Sequence, residues 1–293
     1  MILIRRMFIA GLAGVAMVLG GMSLLGADAA ADRSVETAKI AERHLAEAKG
    51  KCAIELLRVG AERPLYRTDN AAQQIPSAST IKVLIMARLF ERLAAGELKP
   101  GQLVTVPKTA KIPGGIIYEL DAETYTLKDL ITLMIALSDN TATNILIDLA
   151  GFDQTNALAR KLGLPQTRLQ RKMLDFAAAK AGRQNYTSAD DMTRLFDLIA
   201  QGRVVSPEAS AAMIDVLKRQ QDNHSFKRYL SEDLVVAHKS GWLDGLELES
   251  GVFFLPDGEY VLTVFTWDWP DNGSARDFIG AFTRDWYRSC GGR

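Results

Sequence analysis

Apolar positions recur along this chain in two rhythms. Near both ends they form short unbroken runs with the texture of buried strands. Through the middle they return every three or four residues, as on the buried face of a helix. Cys52 to Val59 reads as the first strand; after a turn over Ala61 to Pro64 a short second strand, Leu65 to Thr68, completes a hairpin. Three strands are predicted late in the chain, Leu234 to Ser240, Gly251 to Leu255 and Tyr260 to Trp267, with Pro256-Asp257-Gly258 as the turn between the last two.

The helices are marked by their ends. Ser34 to Ala48 begins at an Asp32/Ser34 cap and stops near Gly50. Ile81 to Ala95, stopped by Gly96, is apolar around more than one face, as a helix buried on most sides must be. Thr126 caps Leu127 to Leu137, Asn140 to Ala150 closes at Gly151, and Asp153 to Leu162 closes at Gly163. Ser188 caps Ala189 to Ala200, Pro207 opens another helix at its first turn, and Ser274 caps a last amphipathic helix to about Arg288.

Two strands alone make a marginal sheet. Pairing the early two with the late three gives one five-stranded antiparallel sheet, covered by the first and last helices. The expected fold class is therefore α/β (α+β): a discontinuous sheet domain over 32–72 and 226–293 and an all-helical lobe over 73–225. A small-molecule site belongs in the cleft between them.

Composition narrows the function. The 293 residues suffice for one large or two ordinary domains, and 48% hydrophobic with 24% charged residues exclude a disordered chain. Lys+Arg and Asp+Glu both number 35, so no basic excess exists to neutralise a phosphate backbone, and nucleic acid is not an expected partner. Two cysteines and three scattered histidines (His44, His224, His238) leave few ligands for a metal, and neither metal nor cofactor is expected.

The amino end stands apart. Arg5 and Arg6 precede an uncharged stretch, Met7 to Leu25, and then Ala27-Asp28-Ala29-Ala30-Ala31. This is the pattern of a bacterial secretory signal over 1–31, cleaved after Ala29 or Ala31; the alternative is an uncleaved membrane anchor. A secreted or periplasmic monomer without stable membrane insertion is expected. Export permits a disulfide between Cys52 and Cys290, against two unpaired thiols.

Three short elements carry candidate chemistry. Ser79-Thr80-Ile81-Lys82 opens the most apolar helix. Ser and Lys three apart share a helical face, and the Ser backbone N–H at the helix start is free to meet a developing oxyanion. Lys serves as the base for that hydroxyl only if burial or neighbouring positive charge depresses its pKa. Ser138-Asp139-Asn140 lies between two predicted helices, and Lys239-Ser240-Gly241 ends a predicted strand, where the N–H of Trp242 is a second oxyanion donor. Taken singly, each reads equally as a helix cap, a helix stop or a strand terminus with a solvated Lys.

Together, in this order and on helix, loop and strand, with separations of 59 and 101 residues, they resemble the β-lactamase and penicillin-binding protein superfamily. Within it the sequence resembles the class A β-lactamase-like serine hydrolases, from about Ser34 to the C-terminus. Ser138 to Asn144, and the tail from Lys239 through Phe253-Phe254-Leu255-Pro256-Asp257-Gly258, carry the likeness furthest. The resemblance implies Ser79 as the acylated nucleophile and Lys82 as its activator. It implies Ser138 as the proton carrier to the leaving nitrogen and Asn140 as the holder of Lys82 and of the substrate side-chain amide. Lys239 would favour an anionic substrate, Ser240 would bind its carboxylate, and the N–H groups of Ser79 and Trp242, beside Gly241, would form the oxyanion hole.

One departure matters. Class A enzymes carry a Glu in an Arg-x-Glu-Pro-x-x-Asn loop to activate the deacylating water. Here the stretch is Arg171-Lys172-Met173-Leu174-Asp175-Phe176, running on to Gly182-Arg183-Gln184-Asn185, with no Glu between Arg168 and Arg183. Asp175 is the one carboxylate available as a base; its alternatives are an ion pair with Arg171 or Lys172, or a helix cap. Three functions therefore compete: a β-lactamase, a cell-wall D-alanyl-D-alanine peptidase or esterase, and a penicillin-binding module that stays acylated. The substrate is a small β-lactam or a cell-wall peptide. A last helix running back across the sheet would put Cys290 at its far end and Cys52 near its start, beyond disulfide reach.

Overall fold

The computed structural model describes residues 33–292. The expected secretory signal lies outside the described residues. Helix α1 covers 33–46, followed by β1 (Lys51–Arg58) and β2 (Tyr66–Arg67). Then come β3 (Ile75–Pro76), a 3-10 turn over Ala78–Ile81, α2 (Lys82–Ala94), β4 (Leu103–Thr105), β5 (Thr124–Thr126), α3 (Leu127–Ala136), α4 (Asn140–Ala150), α5 (Phe152–Leu162) and α6 (Phe176–Lys180). The chain continues with β6 (Tyr186–Thr187), α7 (Ala189–Ala200), α8 (Pro207–Leu217), β7 (Val236–Leu243), β8 (Leu246–Leu255), β9 (Gly258–Trp267) and α9 (Asn272–Ser289).

One five-stranded sheet has the order β2-β1-β9-β8-β7, antiparallel throughout. Both faces of the sheet are covered, so β1, β8 and β9 are buried along most of their length, polar residues included. Alternate residues of β9 divide between two cores: Tyr260, Leu262 and Val264 join Phe278, Phe282 and Trp286 of α9, with Ile40 of α1. Val261, Phe265 and Trp267 face the other way, toward the core that holds Leu84 of α2 and Phe196 of α7. Helix α7 packs on β1, β8 and β9, so the central helices and the inner sheet face share one core.

The expected five-stranded sheet and its covering helices are present, with corrected boundaries. The α-helix after Ser79 starts at Lys82, because Ala78 takes a left-handed φ of 44° and the chain enters through a 3-10 turn. Strand β8 starts at Leu246, well before Gly251; its polar residues hid it, and each has a partner. Glu247 meets Arg276, Glu249 meets His238, and Ser250 meets Thr263. The last helix is capped by Asp271, whose Oδ1 accepts the Ser274 N–H at 2.7 Å, and not by Ser274. Two small ribbons, β3 with β6 and β4 with β5, have too few residues to show a period.

Both cysteines are free. Cys52 pairs with Thr266 near the end of β9, and burial pushes its thiol up to about 12. Cys290 follows the far end of α9, where its Sγ accepts from Arg33 at 3.0 Å. Among the described residues no helix is long and apolar enough to cross a membrane.

Candidate active site

Ser79 sits in the 3-10 turn that leads into α2, and it lines a cavity of about 420 Å³. Lys82, three residues on, is wholly buried. A buried Lys needs acceptors, and the α3–α4 junction supplies them. Nζ lies 2.6 Å from the carbonyl oxygen of Ser138, 3.0 Å from Ser138 Oγ and 3.0 Å from Asn140 Oδ1. Burial first, then the charge of Lys239, holds Lys82 well below the usual lysine range; Asp139 opposes them. A neutral amine has two N–H groups and one lone pair. Donation to Ser138 O and Asn140 Oδ1 occupies both N–H groups, and the Ser138 hydroxyl at 3.0 Å then faces the lone pair.

The Ser138 junction is built for this. Ser138 has a φ of 55°, a left-handed conformation uncommon for a side chain with a Cβ and concentrated at functional sites. It is held by Asp139, which is fully buried. Asp139 Oδ1 accepts the Ala142 N–H at 2.8 Å as the cap of α4, and Oδ2 accepts the Ile117 N–H at 2.9 Å. Asn140 donates through Nδ2 to Pro113 O at 3.1 Å, and its backbone N–H donates to Gly114 O at 2.9 Å. The glycine is required there, since a Cβ on Gly114 would lie 2.4 Å from Asn140 Nδ2.

Strand β7 brings the third element to the same place. Gly241 passes so close to the Ser79 turn that a Cβ on it would lie 2.7 Å from Ser79 N and 2.9 Å from Thr80 N. Lys239 is fully buried, and its Nζ donates to Ser240 O at 2.7 Å. Burial lowers it to about 8, against the charges of Asp222 and Glu249. Trp242 and Ser138 line the cavity with Ser79.

Two expected residues are placed differently. Asp175 does not line the cavity; its Oδ1 accepts the Ala178 N–H at 2.9 Å, so the carboxylate caps α6. The loop presents Met173 instead, two residues after Arg171, at the position of the Glu in the Arg-x-Glu pattern. Asn144 clamps Met173 from both sides, accepting its N–H at 2.7 Å and donating to its carbonyl at 3.1 Å. Asn185 holds the preceding turn, accepting from Gln170 N and Arg171 N. Ser240, 3% exposed, does not line the cavity either; its hydroxyl donates to Asp222 Oδ2 at 2.7 Å. Sequence reasoning missed Asp222, which lies in irregular chain after α8 with no motif around it. It also missed Asn144, although the run from Ser138 to Asn144 pointed to it.

Residues 37–290 match the beta-lactamase enzyme family. A β-lactamase of Rhodobacter capsulatus is 30% identical over 169 residues, 56% of this chain and 57% of that protein. This chain spans about half the length of the curated relatives it matches. Among solved structures, a β-lactamase of Sphaerobacter thermophilus is 30% identical with a TM-score of 0.78, over 88% of this chain and 97% of that one. PBP-A, 23% identical, has a TM-score of 0.76 over 87% of this chain and 95% of its own, and a variant of it forms an acyl-enzyme with penicillin G.

Proposed function

The chain belongs to the beta-lactamase enzyme family, and from that premise we propose that it is a serine acyl hydrolase that opens β-lactam amides through Ser79. The observation that carries this is the buried, depressed-pKa Lys82 amine, hydrogen-bonded to Ser138 and Asn140 one helical turn from a cavity-lining serine.

The lone pair of Lys82 takes the Ser79 hydroxyl proton as Oγ bonds to the amide carbonyl carbon. The oxyanion is met by the backbone N–H groups of Ser79 and Trp242. The C–N bond then breaks, and its nitrogen takes a proton through Ser138, which Lys82 resupplies. Lys239 supplies a cation for the substrate carboxylate, and the amide of Asn140 orients the substrate side chain. Water then adds through its oxygen to the ester carbon, the bond from that carbon to Oγ breaks, and a water proton returns to Ser79 Oγ. No step in this sequence needs a metal or a cofactor.

Mass spectrometry of the intact protein with a β-lactam, beside nitrocefin turnover, tests the proposal. Wild type is expected to gain one acyl group, and Ser79→Ala none. Acylation that survives in Ser79→Ala overturns it.

A second reading is favoured by one feature. Met173 and not a carboxylate faces the cavity from the loop, so the deacylating water lacks the base that the family's Glu supplies. A general base contributes about 10²–10⁴ in rate. The acyl-enzyme is then long-lived, as in a penicillin-binding protein or a D-alanyl-D-alanine peptidase. A nitrocefin burst without steady turnover, or release of D-alanine from a peptide, selects this reading. Residues 1–31 are proposed to direct export; recovery of a shortened chain outside the cytoplasm, its new amino terminus at Ala30 or Asp32, tests that.

A further inference from the structure

The carboxylate-binding end of the site contains a residue that none of the three motifs includes. Ser240 has one hydroxyl proton, and it is donated to Asp222 at 2.7 Å. Asp222 also accepts the His224 N–H at 3.2 Å. Lys239, adjacent in sequence and wholly buried, donates to the carbonyl of Ser240 itself. Hydroxyl, ammonium and carboxylate therefore form one cluster beneath the strand that borders the cavity. We infer that Asp222 is a positioning residue for the substrate carboxylate, acting through the Lys239 ammonium and fixing the Ser240 hydroxyl beside it.

This inference rests on the proposed acyl-transfer reading, and its physical basis is charge. Two charged groups face Lys239, Asp222 from the chain after α8 and Glu249 from β8, and the amine of Lys82 from α2 is its third titratable neighbour. Burial disfavours its protonated form most, and the two carboxylates favour it. Glu249 has His238 Nδ1 as a partner at 2.8 Å, on a side chain with no exposure. Asp222 is held ionised below the usual carboxylate range by Ser240, the His224 N–H and Lys239, against its own burial. It is thus the dependable anion beside Lys239. An ionised carboxylate only accepts, so the single Ser240 proton points at Asp222. Asp222 therefore sets both the orientation of the hydroxyl and the pH range over which Lys239 stays a cation.

The test compares wild type, Asp222→Asn and Asp222→Glu in acylation by nitrocefin and by its carboxylate methyl ester between pH 6 and 10. Removing the charge lowers the Lys239 pKa, so the alkaline fall in kcat/KM for nitrocefin is expected to move down by about one pH unit, the size of effect of a nearby charge. KM is expected to rise more at pH 9 than at pH 6, the uncharged ester to respond less, and Asp222→Glu to restore the wild-type profile. Asp222→Ser carries the same expectation if the Asn variant does not fold. An alkaline limb that stays in place, or equal changes for the acid and the ester, overturns the inference. A wild-type protein that is not acylated at Ser79 overturns the acyl-transfer reading instead.

Discussion

Gly241 lies directly against the backbone nitrogen of Ser79, close enough that a Cβ there would stand 2.7 Å from it. Both contacts are to backbone, at Ser79 N and Thr80 N, so no flexible side chain can move aside. Gly241→Ala must displace either strand β7 or the Ser79 turn, and with it the N–H proposed to meet the oxyanion. Loss of one such donor costs about 10²–10³ in rate. The acylation rate of Gly241→Ala is expected to fall by at least that factor, measured by stopped-flow with nitrocefin.

The pH profile follows from two lysines of opposite duty. In the proposed mechanism Lys82 acts as a neutral amine, and its pKa is depressed, so activity is expected to rise with pH as the amine form fills. Lys239 acts as a cation, and its pKa is lowered to about 8, so the affinity for carboxylate substrates is lost as pH rises through about 8. A bell-shaped kcat/KM is expected. Lys82→Arg, which cannot surrender its proton, is expected to acylate about 10²–10⁴ times more slowly at every pH.

Asp139 links stability to that profile. It caps α4 through Ala142 N and satisfies the buried N–H of Ile117. Loss of the cap costs about 1 kcal/mol and an unpaired buried donor about 1–3 kcal/mol. Asp139→Ala is expected to lose about 2–4 kcal/mol in urea unfolding. Asp139 also raises the Lys82 pKa, so Asp139→Asn is expected to move the acid limb of kcat/KM to lower pH.

The loop residues separate acylation from deacylation. Asp175 caps α6 and does not line the cavity, so Asp175→Asn is expected to leave the deacylation rate unchanged. Met173 lines the cavity on a backbone fixed by Asn144. Met173→Glu is expected to raise deacylation by about 10²–10⁴, the contribution of a general base. Single-turnover decay of the acyl-enzyme mass checks both.

Much of this protein is legible before folding. The apolar runs, the caps at Thr126 and Ser188, the first-turn Pro207 and the stops at Gly151 and Gly163 are local signals, and local signals depend on near neighbours alone. The order of Ser79, Lys82, Ser138 and Lys239 is legible too, because each element carries its own short pattern. Strand β8 escaped because Glu247 and Glu249 break its apolar run, and their partners, Arg276 and His238, lie far from them along the chain or on another strand.

Tertiary structure alone decided the electrostatics. That the Lys82 pKa falls well below the usual lysine range depends on burial and on the charge of Lys239, 157 positions away. That Ser240 turns to Asp222, and Asp175 to its own helix, depends on which acceptor lies within hydrogen-bond reach once the chain is packed. Residue types and spacing set what each group is able to do; desolvation and distance, which exist only in the folded chain, select what it does.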